Sequence, residues 1–178
     1  MFAIVLAALD RSGSVLPILC AMAVHELAHV VMMLACGGQV RRLTLRFADL
    51  QIAASGLGYR QELLSALAGP LVNLICGAGF CMQRPSFAAY SLMLGIYNLL
   101  PVWPLDGGRV LRCALLARLP ITQAEHISEI VSFAACAVLL LIGVFLTFFR
   151  KSGLWPLGTA AYLTVRLLML ARRTDAVQ

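Results

Sequence analysis

The chain has 178 residues, of which 61% are hydrophobic and only 12% charged, with a formal net charge of +6. Its mean hydropathy is +0.90. A soluble domain is ordinarily about 45–50% apolar and about 25% charged, so a water-soluble globule is excluded. The positive charge is not a nucleic-acid footprint either, because Lys and Arg fall mainly in short gaps between apolar runs, where they act as topology signals.

The opening run, 2–9, is apolar but too short to cross a membrane, and is expected to be the remnant of a first helix or a segment lying against the others. "MFAIVLAALD" lacks a basic n-region and a cleavage site, so no signal peptide is expected. Spanning helices need about 20 apolar residues. Segments 14–36, 62–82, 86–104 and 126–149 approach that length, and 154–171 is a shorter candidate. Pro17, Pro70 and Pro156 fall in or near these spans, where neighbouring helices can re-satisfy the backbone. Six cysteines (20, 36, 76, 81, 113 and 136) show no C-x-x-C spacing. They are expected to be small packing residues without disulfides.

Two gaps hold more than a loop. In "VRRLTLRFADLQIAAS" (40–55), Leu43, Leu45 and Phe47 alternate with Arg42, Thr44 and Arg46. The period of two predicts a short strand, with a hairpin turning near Asp49, over a basic surface loop. In 107–119, Arg109, Arg112 and Arg118 lie among Val110, Leu111, Leu115 and Leu116, the pattern of an interfacial amphipathic helix. The expected fold is an all-α polytopic membrane protein, a single membrane-embedded domain over 1–178. It has about five to six transmembrane helices and a small β-hairpin or membrane-associated strand after the first full span. If the spans alternate, Arg41, Arg42, Arg46, Arg60, Arg109, Arg112, Arg118, Arg172 and Arg173 share one side, and Arg11, Arg84, Arg150 and Lys151 the other. The positive-inside rule then puts 37–61, 105–125 and the C-terminus in the cytoplasm.

The chemistry concentrates in "AMAVHELAHVVMML" (21–34). Ionisable groups in mid-span are costly and are retained for function. His25 and His29 are four apart and share one helix face, so two imidazoles can grip one metal ion. Glu26 is placed to reach a water on that metal. H-E-x-x-H on a helix is the zinc-hydrolase signature, with Glu as general base. The bland alternative, a hydrogen-bonded pair of core histidines, is harder to satisfy in mid-span. Catalytic zinc takes three protein ligands and leaves a fourth position to water. Of the eight acidic residues, Asp10, Asp49, Glu62, Glu125, Glu129 and Asp175 lie in gaps, at segment edges or in the tail. That leaves Glu26, already assigned, and Asp106. Asp106 sits in "NLLPVWPLDGGRVL" (98–111), where Pro101 and Pro104 stop the preceding helix. The pair Gly107–Gly108 is expected to turn the backbone through conformations other residues avoid. An ordinary Asp-Gly turn at the membrane surface is the alternative.

"HELAH" followed by N-x-x-P-x-x-x-x-D-G (Asn98, Pro101, Asp106 and Gly107) resembles the site-2 protease family of intramembrane zinc metalloproteases, peptidase family M50. "AGPLVN" (68–73) resembles that family's A-G-P segment. "LLPVWPLDGGRVL" with "RLPITQAEH" is similar to its stage IV sporulation branch, which processes a membrane-tethered sigma-factor precursor. The resemblance covers about 14–171. It implies one zinc per chain held by His25, His29 and Asp106, with Glu26 activating the water and Asn98 contacting substrate or steadying its loop. Asn73 and His126 receive no role. The resemblance also implies a multi-pass protein of the bacterial cell membrane, with its active site opening towards the cytoplasm. Its partners would be a membrane-associated protein substrate, inhibitory or regulatory membrane proteins and the lipid bilayer, with no nucleic acid. Two departures from the family are expected: a first helix that is largely missing, and no CBS or PDZ domain.

The implied reaction is peptide-bond hydrolysis within or next to a membrane segment, with zinc lowering the pKa of a water and Glu26 moving its proton. The 40–55 strand is expected to pair with unwound substrate. Two alternatives stand beside this reading. A prenyl-peptide-type membrane protease needs a later glutamate ligand, and only Glu125 and Glu129 are offered. A proteolytically silent zinc-binding scaffold would be expected to have lost Glu26.

Overall fold

The computed structural model describes residues 13–46, 49–55, 58–149 and 155–175. In chain order these form α1 (Val15–Ala35), β1 (Gln39–Arg46), β2 (Asp49–Ser55), α2 (Tyr59–Gly79), α3 (Pro85–Asn98), α4 (Asp106–Leu116), α5 (Ile121–Phe149) and α6 (Trp155–Asp175). The opening run 2–9, together with Arg11, Phe47, Arg150 and Lys151, lies outside the described residues. The chain divides into two compact units, one ending at Leu99 and the other beginning at Leu100.

In the first unit, α1 packs against α2 and α3, and α2 against α3. At about 1.5 Å per residue, the 21 residues of α1 and of α2 each reach about 31 Å, close to the roughly 30 Å hydrocarbon core of a bilayer. α1 ends in a Schellman motif. Gly37 takes φ +80°, its N–H donates to the Leu34 carbonyl, and the N–H of Gly38 donates to the Met33 carbonyl, both at 3.0 Å. Only glycine adopts that left-handed position without cost. β1 and β2 pair antiparallel from Gln39 opposite Ser55 to Arg46 opposite Asp49, with an irregularity between Val40 and Arg42. The helices on either side of this pair are joined by Gln61, whose Oε1 accepts the Gly58 N–H at 2.8 Å. Its Nε2 donates to the Cys36 carbonyl at 3.0 Å. One side chain thus serves the start of α2 and the end of α1, both places where backbone groups lack helical partners.

Two four-residue stripes make the core of this unit. Ala21, His25, His29 and Met33 are the buried residues of α1. Ser65, Gly69, Asn73 and Gly77 are buried on α2. Small residues let helix backbones approach closely where hydrocarbon offers no driving force of its own. A Cβ on Gly77 would lie 2.7 Å from Cδ2 of Leu92, and one on Gly95 would lie 2.9 Å from the Pro70 carbonyl oxygen.

In the second unit α4 packs on α5, and α5 on α6. α5 buries Ala124, Ser128, Ser132 and Cys136, again four apart and small, while Leu141 and Phe148 on its outside are each 71% exposed. Val15–Ala35, Tyr59–Gly79 and Ile121–Phe148 are long and apolar enough to cross a membrane, and Leu157–Met169 is a shorter apolar helix. Large apolar residues outside and small or polar ones inside invert the soluble arrangement. The medium that suits such a surface is lipid.

Three expectations change. The segment 86–104 is not one helix: α3 stops at Asn98, because Pro101 has no N–H for the ladder and biases its predecessor away from helix. Gly107 and Gly108 do not turn the backbone, since both lie in the first turn of α4. Third, the cysteines are all free, but only Cys113 and Cys136 are buried, while Cys20 and Cys81 are exposed on outward faces.

Candidate metal centre

His25 and His29 lie one turn apart on the buried face of α1, 4% and 8% exposed. Their Nε2 atoms are 3.1 Å apart, with the rings nearly perpendicular, interplanar angle 85°. α2 completes the setting. The Nδ1 of His29 lies 2.7 Å from the Ser65 carbonyl, which can only accept, so Nδ1 carries the proton and Nε2 is left as the ligand atom. The Ser65 hydroxyl donates to the His29 carbonyl at 3.3 Å. Nδ1 of His25 faces the amide nitrogen of Asn73 at 3.2 Å. Between these contacts lies Gly69. A Cβ there would collide with Nε2 of His29, and would lie 2.6 Å from Cε1 of His29 and 2.9 Å from Cε1 of His25. The missing side chain is the space the two rings occupy. Glu26, next on α1, is half-buried.

These observations test whether zinc suits the pair. Zinc–nitrogen bonds are roughly 2.0–2.1 Å, and an Nε2 separation of 3.1 Å is short enough for two imidazoles to share one ion. The His29 contact to a backbone carbonyl is the outer partner that metal-bound histidines ordinarily have. The pair fits.

Asp106 is set within the second unit. It is 8% exposed and opens α4, where the unpaired N–H groups of a helix start favour a carboxylate. Arg109, one turn on, has Nη1 3.7 Å from Oδ1 of Asp106. The loop before it is held in two ways. The Trp103 N–H donates to Oγ of Ser132 at 3.1 Å, while that hydroxyl donates to the Ser128 carbonyl at 2.8 Å. Val102 is fully buried, and a Cβ on Gly108 would lie 2.6 Å from the Val102 carbonyl and the Trp103 nitrogen. Gly108 is therefore there for close backbone approach.

The remaining sequence candidates separate. Asn98 ends α3 and donates from Nδ2 to the Leu94 carbonyl at 3.0 Å, which ties its amide to its own helix. Glu125 pairs with Arg112 at 2.8 Å on an exposed face, and His126 is exposed. Asn73 went unassigned from sequence although it faces His25. The signal available was a lone amide inside an apolar run, one turn after Gly69.

Residues 78–142 match the model of Peptidase family M50, a stretch that includes Asn98, Pro101, Asp106 and Gly107. The chain is 26% identical over 133 residues to a zinc metalloprotease of Methanocaldococcus jannaschii, covering 67% of this chain and 39% of that protein. It is 28% identical over 138 residues to stage IV sporulation protein FB of Bacillus subtilis, covering 70% and 47%. The chain thus spans less than half the length of these curated relatives. Its fold is that of the site-2 protease of Methanocaldococcus jannaschii, with a TM-score of 0.68 and 20% identity, covering 94% of this chain and 83% of that one. Over residues 78–142 the chain is similar to Peptidase family M50. With its apolar helices, it is an integral membrane protein, and zinc is the metal its relatives' names carry.

Proposed function

We propose that the chain acts as an intramembrane zinc metalloprotease, hydrolysing a peptide bond within or next to a membrane segment of a membrane-associated precursor, such as a sigma factor. The buried His25–His29 pair on a helix long enough to span a membrane carries the reading. His25, His29 and Asp106 hold the metal. Two imidazoles with a carboxylate are a donor set zinc accepts. Bound zinc supplies Lewis acidity and a water of lowered pKa.

The chain's own residues supply the rest. Glu26 takes the proton of the attacking water and returns it to the leaving amine. Asn98 contacts substrate through the amide oxygen that its bond to Leu94 leaves over. The strand pair offers an edge to which unwound substrate adds as a further strand. In the bilayer the fold has five or six spans, with the site opening to the cytoplasm, and inhibitory membrane proteins regulate it.

The test compares membrane-protein fragments in the native host for wild type and Glu26→Gln. Peptides cut within or beside a span in wild type alone would support the reading and identify the substrate. No difference, with the protein expressed and zinc-loaded, would favour a silent zinc-binding scaffold.

A further inference from the structure

Asn73 is fully buried on α2, inside a helix long and apolar enough to span a membrane. Burying an amide there is costly unless it is matched. Its Nδ2 lies 3.2 Å from Nδ1 of His25, and its Oδ1 has no hydrogen-bond partner. The amide has two orientations related by a half-turn, and the one present leaves Oδ1 unmatched on the far side. The two orientations ask opposite things of the histidine.

With Nδ2 towards the ring, Nδ1 of His25 must accept, so in the neutral ring the proton sits on Nε2 and blocks it as a ligand. With Oδ1 towards the ring, Nδ1–H donates and Nε2 becomes an acceptor. His29 is already fixed that way by the Ser65 carbonyl. Without a cation the 3.1 Å separation suits the first arrangement, with Nε2–H of His25 donating to Nε2 of His29; in the second, both lone pairs converge where a cation would lie. We infer that Asn73 is a positioning residue of the metal centre, accepting the Nδ1–H of His25 through Oδ1 so that Nε2 faces the metal. The inference rests on the zinc reading. It gives the two histidines different outer partners, a carbonyl that cannot rotate and an amide that can.

The test is zinc affinity, measured on the full chain in detergent by competition with a chelator, for wild type, His25→Ala, Asn73→Leu and Asn73→Asp. Aspartate keeps an acceptor in place but, ionised, cannot donate; leucine has neither. Losing an outer partner costs about 10–100-fold in affinity, so Asn73→Leu should weaken zinc by that factor while Asn73→Asp stays near wild type. If Asn73→Leu does not fold, judged by its helicity, Asn73→Ser takes its place, too short to reach the ring. Equal affinity in all three Asn73 forms would overturn the inference, as would Asn73→Asp falling with Asn73→Leu, which would make the amide a donor. Should wild type bind zinc no better than His25→Ala, the metal reading itself fails and takes this inference with it.

Discussion

The His29 imidazole is aimed by backbone: its Nδ1–H donates to the Ser65 carbonyl at 2.7 Å, while the Ser65 side chain makes only a 3.3 Å bond to the His29 carbonyl. The two contacts can be separated by mutation. Ser65→Ala should cost about 0.5–1.5 kcal/mol of stability and leave zinc affinity unchanged. Chelator competition and a thermal melt on the same sample check both halves.

Gly69→Ala should do the opposite. Its Cβ enters the space of both rings, and overpacking typically costs about 1–3 kcal/mol, with the imidazoles as the groups displaced. Zinc affinity should fall at least about tenfold, in the range seen when ligand orientation is disturbed. Gly79→Ala is the control, since a Cβ there meets nothing within 4 Å. It should keep zinc and gain up to about 1 kcal/mol from the lower entropy of the unfolded chain.

Glu26→Gln should retain zinc and lose cleavage by about 10²–10⁴-fold, the usual contribution of a positioned proton carrier. His29→Ala should lose both. Zinc content by mass spectrometry beside a cleavage assay distinguishes the two variants, and loss of zinc in Glu26→Gln would remove Glu26 from the role of base.

The loop carrying Asp106 gives an ordering. Ser132→Ala leaves the Trp103 N–H unpaired, at about 1–3 kcal/mol. Gly108→Ala drives a Cβ against backbone atoms at 2.6 Å, which cannot rotate aside, and should cost more. Thermal denaturation in detergent should rank wild type above Ser132→Ala above Gly108→Ala. Glu125→Gln should change little, because its ion pair with Arg112 is exposed and such pairs contribute at most about 1 kcal/mol.

Single prolines along β2 test substrate pairing. Those whose lost N–H faces away from β1 should reduce cleavage with zinc retained, because proline cannot donate to an added strand. Uniform cleavage across the series would remove the strand from the mechanism.

The histidine pair was legible because a spacing of four has one meaning on a helix, and because two imidazoles and a glutamate have no cheap reason to sit in an apolar run. Elimination points to Asp106 as a candidate, but its setting reads differently in the structure. Gly107–Gly108 reads as a turn because glycine's freedom of φ is its more familiar use, whereas Gly108 is there for the absence of a Cβ beside Val102. That use depends on a neighbour supplied by tertiary structure, and adjacent sequence does not reveal it. The end of α3 at Asn98 was legible in part: the missing N–H of Pro101 marks a stop, while hydropathy continuing through Leu99, Leu100 and Val102 carries the apparent span on to 104. Asn73 was missed because its partner lies on another helix, 48 positions away.

Gln61 has a consequence for how the fold can vary. By fastening the Cys36 carbonyl to the residue that opens α2, it brings the two ends of the intervening stretch to one point, as a staple closes the neck of a loop. What lies between can then be lengthened, shortened or exchanged at an entropic cost that grows only with the logarithm of its length, while the histidines and the helix that aims them keep their register. The strand pair is in this sense an interchangeable attachment, and recognition could diverge there without rebuilding the metal centre.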